Sequence, residues 1–125
     1  MRIYFAHPIP QYNSQYERLC QEQISKEFPD SEIVNPNDPA YSRGYKLSGS
    51  RGMEYWHQLA ESCDILVAVP FTQNRKHGSG VYSEMVHMTR LGKPVYELHR
   101  GKFRELDYAD IRRLRVGQPR KFHLL

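Results

Sequence analysis

The chain has 125 residues, 39% of them hydrophobic, with 18 Lys/Arg against 14 Asp/Glu and a net charge of +4. That length suits one domain able to bury a core without staples, and no run approaches the ~18 apolar residues of a membrane span. The two cysteines, Cys20 and Cys63, lie far apart and outside any C-x-x-C pair, which excludes a disulfide framework and a zinc site. They are expected as reduced, partly buried thiols in a cytoplasmic protein.

The charge is unevenly placed. Residues 1–98 hold 10 Lys/Arg and 11 Asp/Glu, whereas residues 99–125 hold eight and three. The chain therefore divides into an α/β domain, 1–98, and a basic C-terminal extension, 99–125. The extension has a charge that would attract phosphates or nucleic acid. No nucleic-acid motif accompanies it, and a solvated face explains it equally well.

In chain order, "RIYFAH" (2–7) reads as a strand; the apolar run soon meets His and Pro and is too short for a signal peptide. "HPIPQYNS" breaks it with two prolines. Ser14 is an N-cap candidate, with Glu17 in capping-box position. From there a helix places Tyr16, Leu19, Cys20, Ile24 and Phe28 on one face. "SEIVNP" (31–36) is a second strand. Residues 37–52 lack apolar periodicity and read as a long loop. "MEYWHQLAESC" is a helix, and "DILVAVPF" (64–71) is a strand buried on both faces. "SGVYSEMVHMTRLG" is a helix stopped by Gly92. "PVYEL" (94–98) is the fourth strand. The extension holds one short helix, "LDYADIRRLR", and an end in "KFHLL".

Alternating strands and helices predict a single-domain α/β open parallel sheet with right-handed crossovers and helices on both faces. Ligands bind such sheets beyond the carboxyl ends of the strands. That edge holds Ala6, His7 and Pro8 after the first strand, Asn37 and Asp38 after the second, and Phe71 after the third. His7 is a ligand contact or a plain loop residue. Asn35, Asn37 and Asp38 bind ribose hydroxyls or simply form the "NPND" turn.

The segment "VPFTQNRKHGSGVYSE" puts a strand, a loop and a helix start in sequence. Small residues at Gly78, Ser79 and Gly80 let backbone approach a ligand, and free N–H groups at a helix start attract anions. Glu84 follows about one turn into the helix, where a carboxylate can attack an electrophilic carbon or bind sugar hydroxyls. The plain alternative is a tight turn followed by a Glu that favours the helix dipole. Neither a P-loop nor a G-x-G-x-x-G fingerprint is present, and no ligand spacing such as H-E-x-x-H occurs. No metal and no cofactor are expected. Met53, Met85 and Met88 read as core fillers, and His87, three residues after Glu84, either tunes that carboxyl or is a surface or interface histidine.

Together, "RIYFAHPI", "MEYWHQLAESCDILVAVPF" and "GSGVYSEMVHMTRLGKPVYEL" resemble the nucleoside 2-deoxyribosyltransferase-like family, which includes deoxyribosyltransferases and nucleoside-monophosphate N-glycosidases. The resemblance covers roughly residues 1–98 and is most specific from Asp64 to Val95. It implies a flavodoxin-like fold and hydrolysis or transfer at the N-glycosidic bond of a nucleoside or nucleoside monophosphate. Glu84 matches the family's nucleophile, and Tyr4 the first-strand tyrosine that positions it; a core aromatic is the plain alternative for Tyr4. The sequence has Gly78 where the transferases carry an Asp six residues before that Glu, with Ser79 next to it matching the Ser of some hydrolases. Trp56 stands at a second Asp position. His57 beside it, or Glu54, is a candidate acid for the leaving base, against the plain alternative of a solvated helix residue.

The resemblance also implies a homo-oligomer. Three consecutive large side chains in "YWH" cannot all face one core, which points the same way. Arg100 and Lys102 are expected near the binding edge, where they would assist an anionic substrate. The alternatives to an enzyme are a non-catalytic nucleotide-binding module on the same scaffold and a nucleic-acid or partner-binding protein using the basic tail.

Overall fold

The computed structural model describes residues 1–117. In chain order these form β1 (Arg2–Ala6), a 3-10 turn (Ile9–Gln11), α1 (Gln15–Glu27), β2 (Glu32–Val34), α2 (Pro39–Ser48), α3 (Glu54–Glu61), β3 (Ile65–Ala68), α4 (Ser79–Arg90), β4 (Val95–His99), β5 (Lys102–Leu106) and α5 (Tyr108–Arg112). The five strands make one sheet in the order β2-β1-β3-β4-β5. The first four are parallel, and β5 closes the edge antiparallel to β4. This is a Rossmann/flavodoxin-like α/β fold, with a mostly rather than wholly parallel sheet.

The alternation of β1 sorts the layers. Ile3 and Phe5 pack with Val67, Leu98 and the α1 residues Cys20 and Ile24. Tyr4 and Ala6 face the other way, against Ala60 of α3, Met85 and Met88 of α4, and Ile111 of α5. Helices thus cover both faces, and β3 is fully buried, as parallel strands between two helical layers must be. Both cysteines are free and buried. Among the described residues no helix is long and apolar enough to cross a membrane.

Three expectations need correction. The stretch expected as a loop, 37–52, contains α2. Asp38 caps that helix by accepting from Ala40 N at 2.9 Å, Pro39 opens it, and Gly49 ends it at φ 73°. No residue of α2 is fully buried, and its inner face is two half-covered tyrosines, Tyr41 and Tyr45, rather than the aliphatic stripe that a periodicity argument looks for. The second miss is β5. It follows β4 through Arg100 and Gly101, whose φ values of 52° and 76° suit a two-residue hairpin turn. The described part of the C-terminal extension thus contributes Lys102–Leu106 to the sheet. Its short helix is present as α5, and "KFHLL" lies outside the described residues. Third, Leu19 is 46% exposed and belongs to the outer face of α1.

This layering has a direct test. Ile24 is fully buried, and α1 is the single helix over its face among the described residues. Ile24→Ala should cost about 2–5 kcal/mol, while Leu19→Ala should stay within about 0.5 kcal/mol. Denaturant midpoints of the two variants check this.

Candidate active site

A cavity of about 540 Å³ opens at the carboxyl ends of β1 and β3. The connection from β1 to β2 runs to one side and the later strands add on the other, so this is the switch point where such sheets bind ligands. The β1 strand supplies Tyr4 and Ala6, and the chain after it His7 and Pro8. Asn37, Phe71, Gly78, Ser79, Gly80 and Glu84 complete the expected residues that line it.

Asp38 and His57 do not line the cavity. Asp38 is spent as the N-cap of α2. His57 sits on the side of α3 that meets α4, within 2.9 Å of Ser83 Oγ and stacked on His87. His87 in turn contacts Glu61 Oε1 at 2.6 Å. Burial and the neighbouring His87 lower the His57 pKa. Trp56, one position earlier on the helix, faces the cavity instead. Arg100 and Lys102 lie at the β4–β5 hairpin, and neither lines the cavity. Among "YWH", Tyr55 rests against Gly44 and Trp56 stacks on Tyr45 at 5.3 Å, so α2 accounts for both rings within one chain.

Glu84 forms the floor. It is 6% exposed, and the Tyr4 hydroxyl donates to its Oε2. Burial drives the Glu84 pKa up to about 8, with the Tyr4 hydrogen bond acting against that rise. Burial and the facing carboxyl push the Tyr4 phenol well above its ordinary value. Among the described residues no Lys or Arg lines the cavity, so no side-chain cation is there to ionise Glu84.

The mouth is shaped by the start of α4. Gly78 is the N-cap, and no side chain caps the helix, so its opening N–H groups are left for a ligand or water. Gly78 and Gly80 both have ordinary negative-φ backbone. A Cβ at Gly78 would meet nothing within 4 Å, and one at Gly80 only Met53 at 3.7 Å. Neither glycine is demanded by the turn; what their missing side chains do is keep the cavity open.

One wall is fixed by a polar hub that the sequence reading missed. Glu17 caps nothing with its carboxylate except Asn13 N, at 3.1 Å. Ser14 accepts from Glu17 N, so only half of the expected capping box forms. The carboxylate instead accepts from His7 Nε2 at 2.7 Å and from Asn37 Nδ2 at 3.2 Å, with Asn35 Nδ2 at 3.4 Å. Burial alone would raise the Glu17 pKa, but hydrogen bonds from His7, Asn13 and Asn35 bring it below the ordinary carboxylate value. His7 Nδ1 lies 3.1 Å from the Phe5 carbonyl, and its ring stacks on Phe5 at 3.8 Å. Both ring nitrogens are therefore engaged within the wall. Tyr12, Trp56 and Met53 also line the cavity. Met53, expected as a core filler, belongs to the cavity instead; Trp56 is singled out in the sequence as standing at a family Asp position, and Tyr12 has no expected role.

Fold and geometry define an α/β protein with a cavity of about 540 Å³ over a buried carboxyl. Comparison of the chain with models of protein families, with curated proteins and with solved structures finds no match.

The Glu84 environment makes stability pH-dependent. Its folded pKa of about 8 lies above the ordinary 4.5, so between those values the native state holds a proton that the unfolded chain has released. Stability from this group is present below about pH 4.5 and is lost as pH rises towards 8. The slope is at most about 1.4 kcal/mol per pH unit. Glu84→Gln should remove this contribution. Urea midpoints at pH 5.5 and 8 should fall more for the native chain than for the variant; equal changes would mean a solvated carboxyl.

Proposed function

We propose that this chain is an enzyme that hydrolyses or transfers at the N-glycosidic bond of a nucleoside or nucleoside monophosphate, with Glu84 as the nucleophile. The observation that carries the proposal is the buried Glu84–Tyr4 pair on the floor of the switch-point cavity. The motif resemblance over residues 1–98 assigns the same two residues the same roles. In the reaction, the ionised Glu84 oxygen attacks C1′ as the bond to the base breaks, and water or a second base then resolves the glycosyl ester. The Tyr4 hydroxyl positions the carboxylate and favours its charged form. Trp56, Phe71 and Tyr12 offer apolar faces to a base, and the uncapped start of α4 offers N–H groups to a phosphate.

A non-catalytic nucleotide-binding module is the second reading. It is favoured by Trp56 and Gly78 in the places where transferases carry acidic groups, and by a Glu84 held largely protonated at neutral pH.

Base release separates the two. Native protein incubated with a panel of nucleosides and monophosphates should release free base, and Glu84→Gln should lose that activity by at least about 10³-fold while remaining folded. The rate at low substrate should rise with pH towards about 8 as Glu84 ionises. Tyr4→Phe should move that rise to higher pH, because it removes the bond that favours the carboxylate. Undiminished turnover in Glu84→Gln would falsify the nucleophile assignment.

Gly80→Val fills open space beside Met53. It should weaken nucleotide binding about tenfold or more by calorimetry, with no more than a small change in Tm.

A further inference from the structure

The chemistry of the cavity restricts which base can leave. Among the described residues, the ionisable side chains lining it are Tyr4, His7, Tyr12 and Glu84. Glu84 is the attacking group, and Tyr4 is committed to it. His7 has one ring nitrogen on Glu17 and the other against the Phe5 carbonyl. Tyr12 is a half-buried phenol whose pKa is pushed up to about 12, chiefly by burial, which makes it a weak acid. The two acid candidates from the sequence, Glu54 and His57, lie outside the lining. No described side chain is placed to protonate a departing base.

A neutral purine or pyrimidine departs as an anion unless a proton reaches it, and a positioned acid contributes about 10²–10⁴-fold to such steps. A pyridinium base has no such need. It carries its positive charge on the glycosylated nitrogen and leaves as a neutral ring. The cavity also complements a cation. It sets a buried carboxyl at the floor with no Lys or Arg in the described lining, and the rings of Trp56, Phe71 and Tyr12 line it. Aromatic faces attract a delocalised cation.

We infer that the substrate of this site is an N-ribosyl pyridinium nucleoside or nucleotide, whose cationic base is held over Glu84. The inference rests on the N-glycosidic reading proposed above and narrows its substrate class. In the step, a Glu84 carboxylate oxygen forms a bond to C1′. The C1′–N bond breaks, and its electron pair returns to the ring nitrogen, giving a neutral pyridine. Water then cleaves the ester, restoring the carboxylate and releasing the sugar and one proton. Charge and atoms balance without an acid at the leaving group. A cationic base also favours the ionised form of Glu84, which burial otherwise opposes.

The test measures base release by chromatography from nicotinamide riboside and nicotinamide mononucleotide, beside adenosine, cytidine and their monophosphates. Native protein and Glu84→Gln are compared, with circular dichroism as the folding control. The expected result is release from the better pyridinium substrate at least about 100-fold faster than from any neutral-base compound, with loss in Glu84→Gln. A smaller ratio, or a preference for neutral bases, overturns the inference and leaves the N-glycosidic reading intact. Release that persists in Glu84→Gln overturns the mechanism. No release from any compound by folded native protein overturns both the inference and the reading beneath it.

Discussion

The hydrogen bond from Tyr4 to Glu84 ties the fold to the site. Tyr4 lies near the middle of β1, a central strand of the sheet, and Glu84 on the inner face of α4. Because β1 alternates, Tyr4 must face the same side as Ala6 and away from Phe5. That side is where α3 and α4 pack. A polar group there would cost a good deal unless paired. The phenol and the carboxyl satisfy each other, and the pairing fixes α4 over the carboxyl end of the sheet. The cavity is the space left above that pair.

Three buried glutamates show how environment sorts one residue type. Glu97, on β4, contacts His77 at 2.8 Å and Arg75 at 2.6 Å. Burial would raise its pKa, but those two partners outweigh it and hold the carboxyl at about 2. Glu17 gathers His7, Asn13, Asn35 and Asn37 and also stays below the ordinary value. Both are fully partnered and tie loops together: Glu97 anchors the turn before α4, and Glu17 anchors the chain after β1 and β2. Glu84 has only a phenol, so burial dominates. A carboxyl that is buried, under-partnered and open to a cavity is the one of the three with chemistry to spare.

Much of this was legible in the sequence, and the failures have physical causes. The parallel strands and the long helices announced themselves because they bury apolar faces. The α2 helix covers Tyr41 and Tyr45 in part and buries no residue fully, so its ends, Asp38-Pro39 and Gly49, were the plainer signal. The β5 strand is an edge with Leu106 as its single buried residue, and its hairpin turn, Arg100-Gly101, was the available signal. At the site, "GSGVYSE" disclosed the mouth and the floor because small residues and a helix start are local features. His57 was misjudged because a helix turns about 100° per residue: Trp56 reaches the cavity and its neighbour reaches Ser83. Glu17 looked like a cap from its spacing, and nothing local showed that His7 and the two asparagines of distant loops converge on it.

The helix α4 gives the cavity two electrostatic characters at once. Its opening N–H groups, uncapped and without an acidic residue in the first turn, form a positive end. Glu84 is five positions beyond Ser79, about 7.5 Å further along the axis. The dipole fades within the first turn, so it does little to ionise that carboxyl. A wholly anionic ligand would suit the first region and be repelled by an ionised Glu84. A wholly cationic one would suit the second alone. A ligand anionic at one end and cationic at the other would complement both regions, which is the pairing that the proposed pyridinium nucleotide would supply. Gly78 and Gly80 line the stretch of cavity that holds both regions, and a Cβ at either would meet nothing closer than Met53 at 3.7 Å, so neither region is filled by the protein itself.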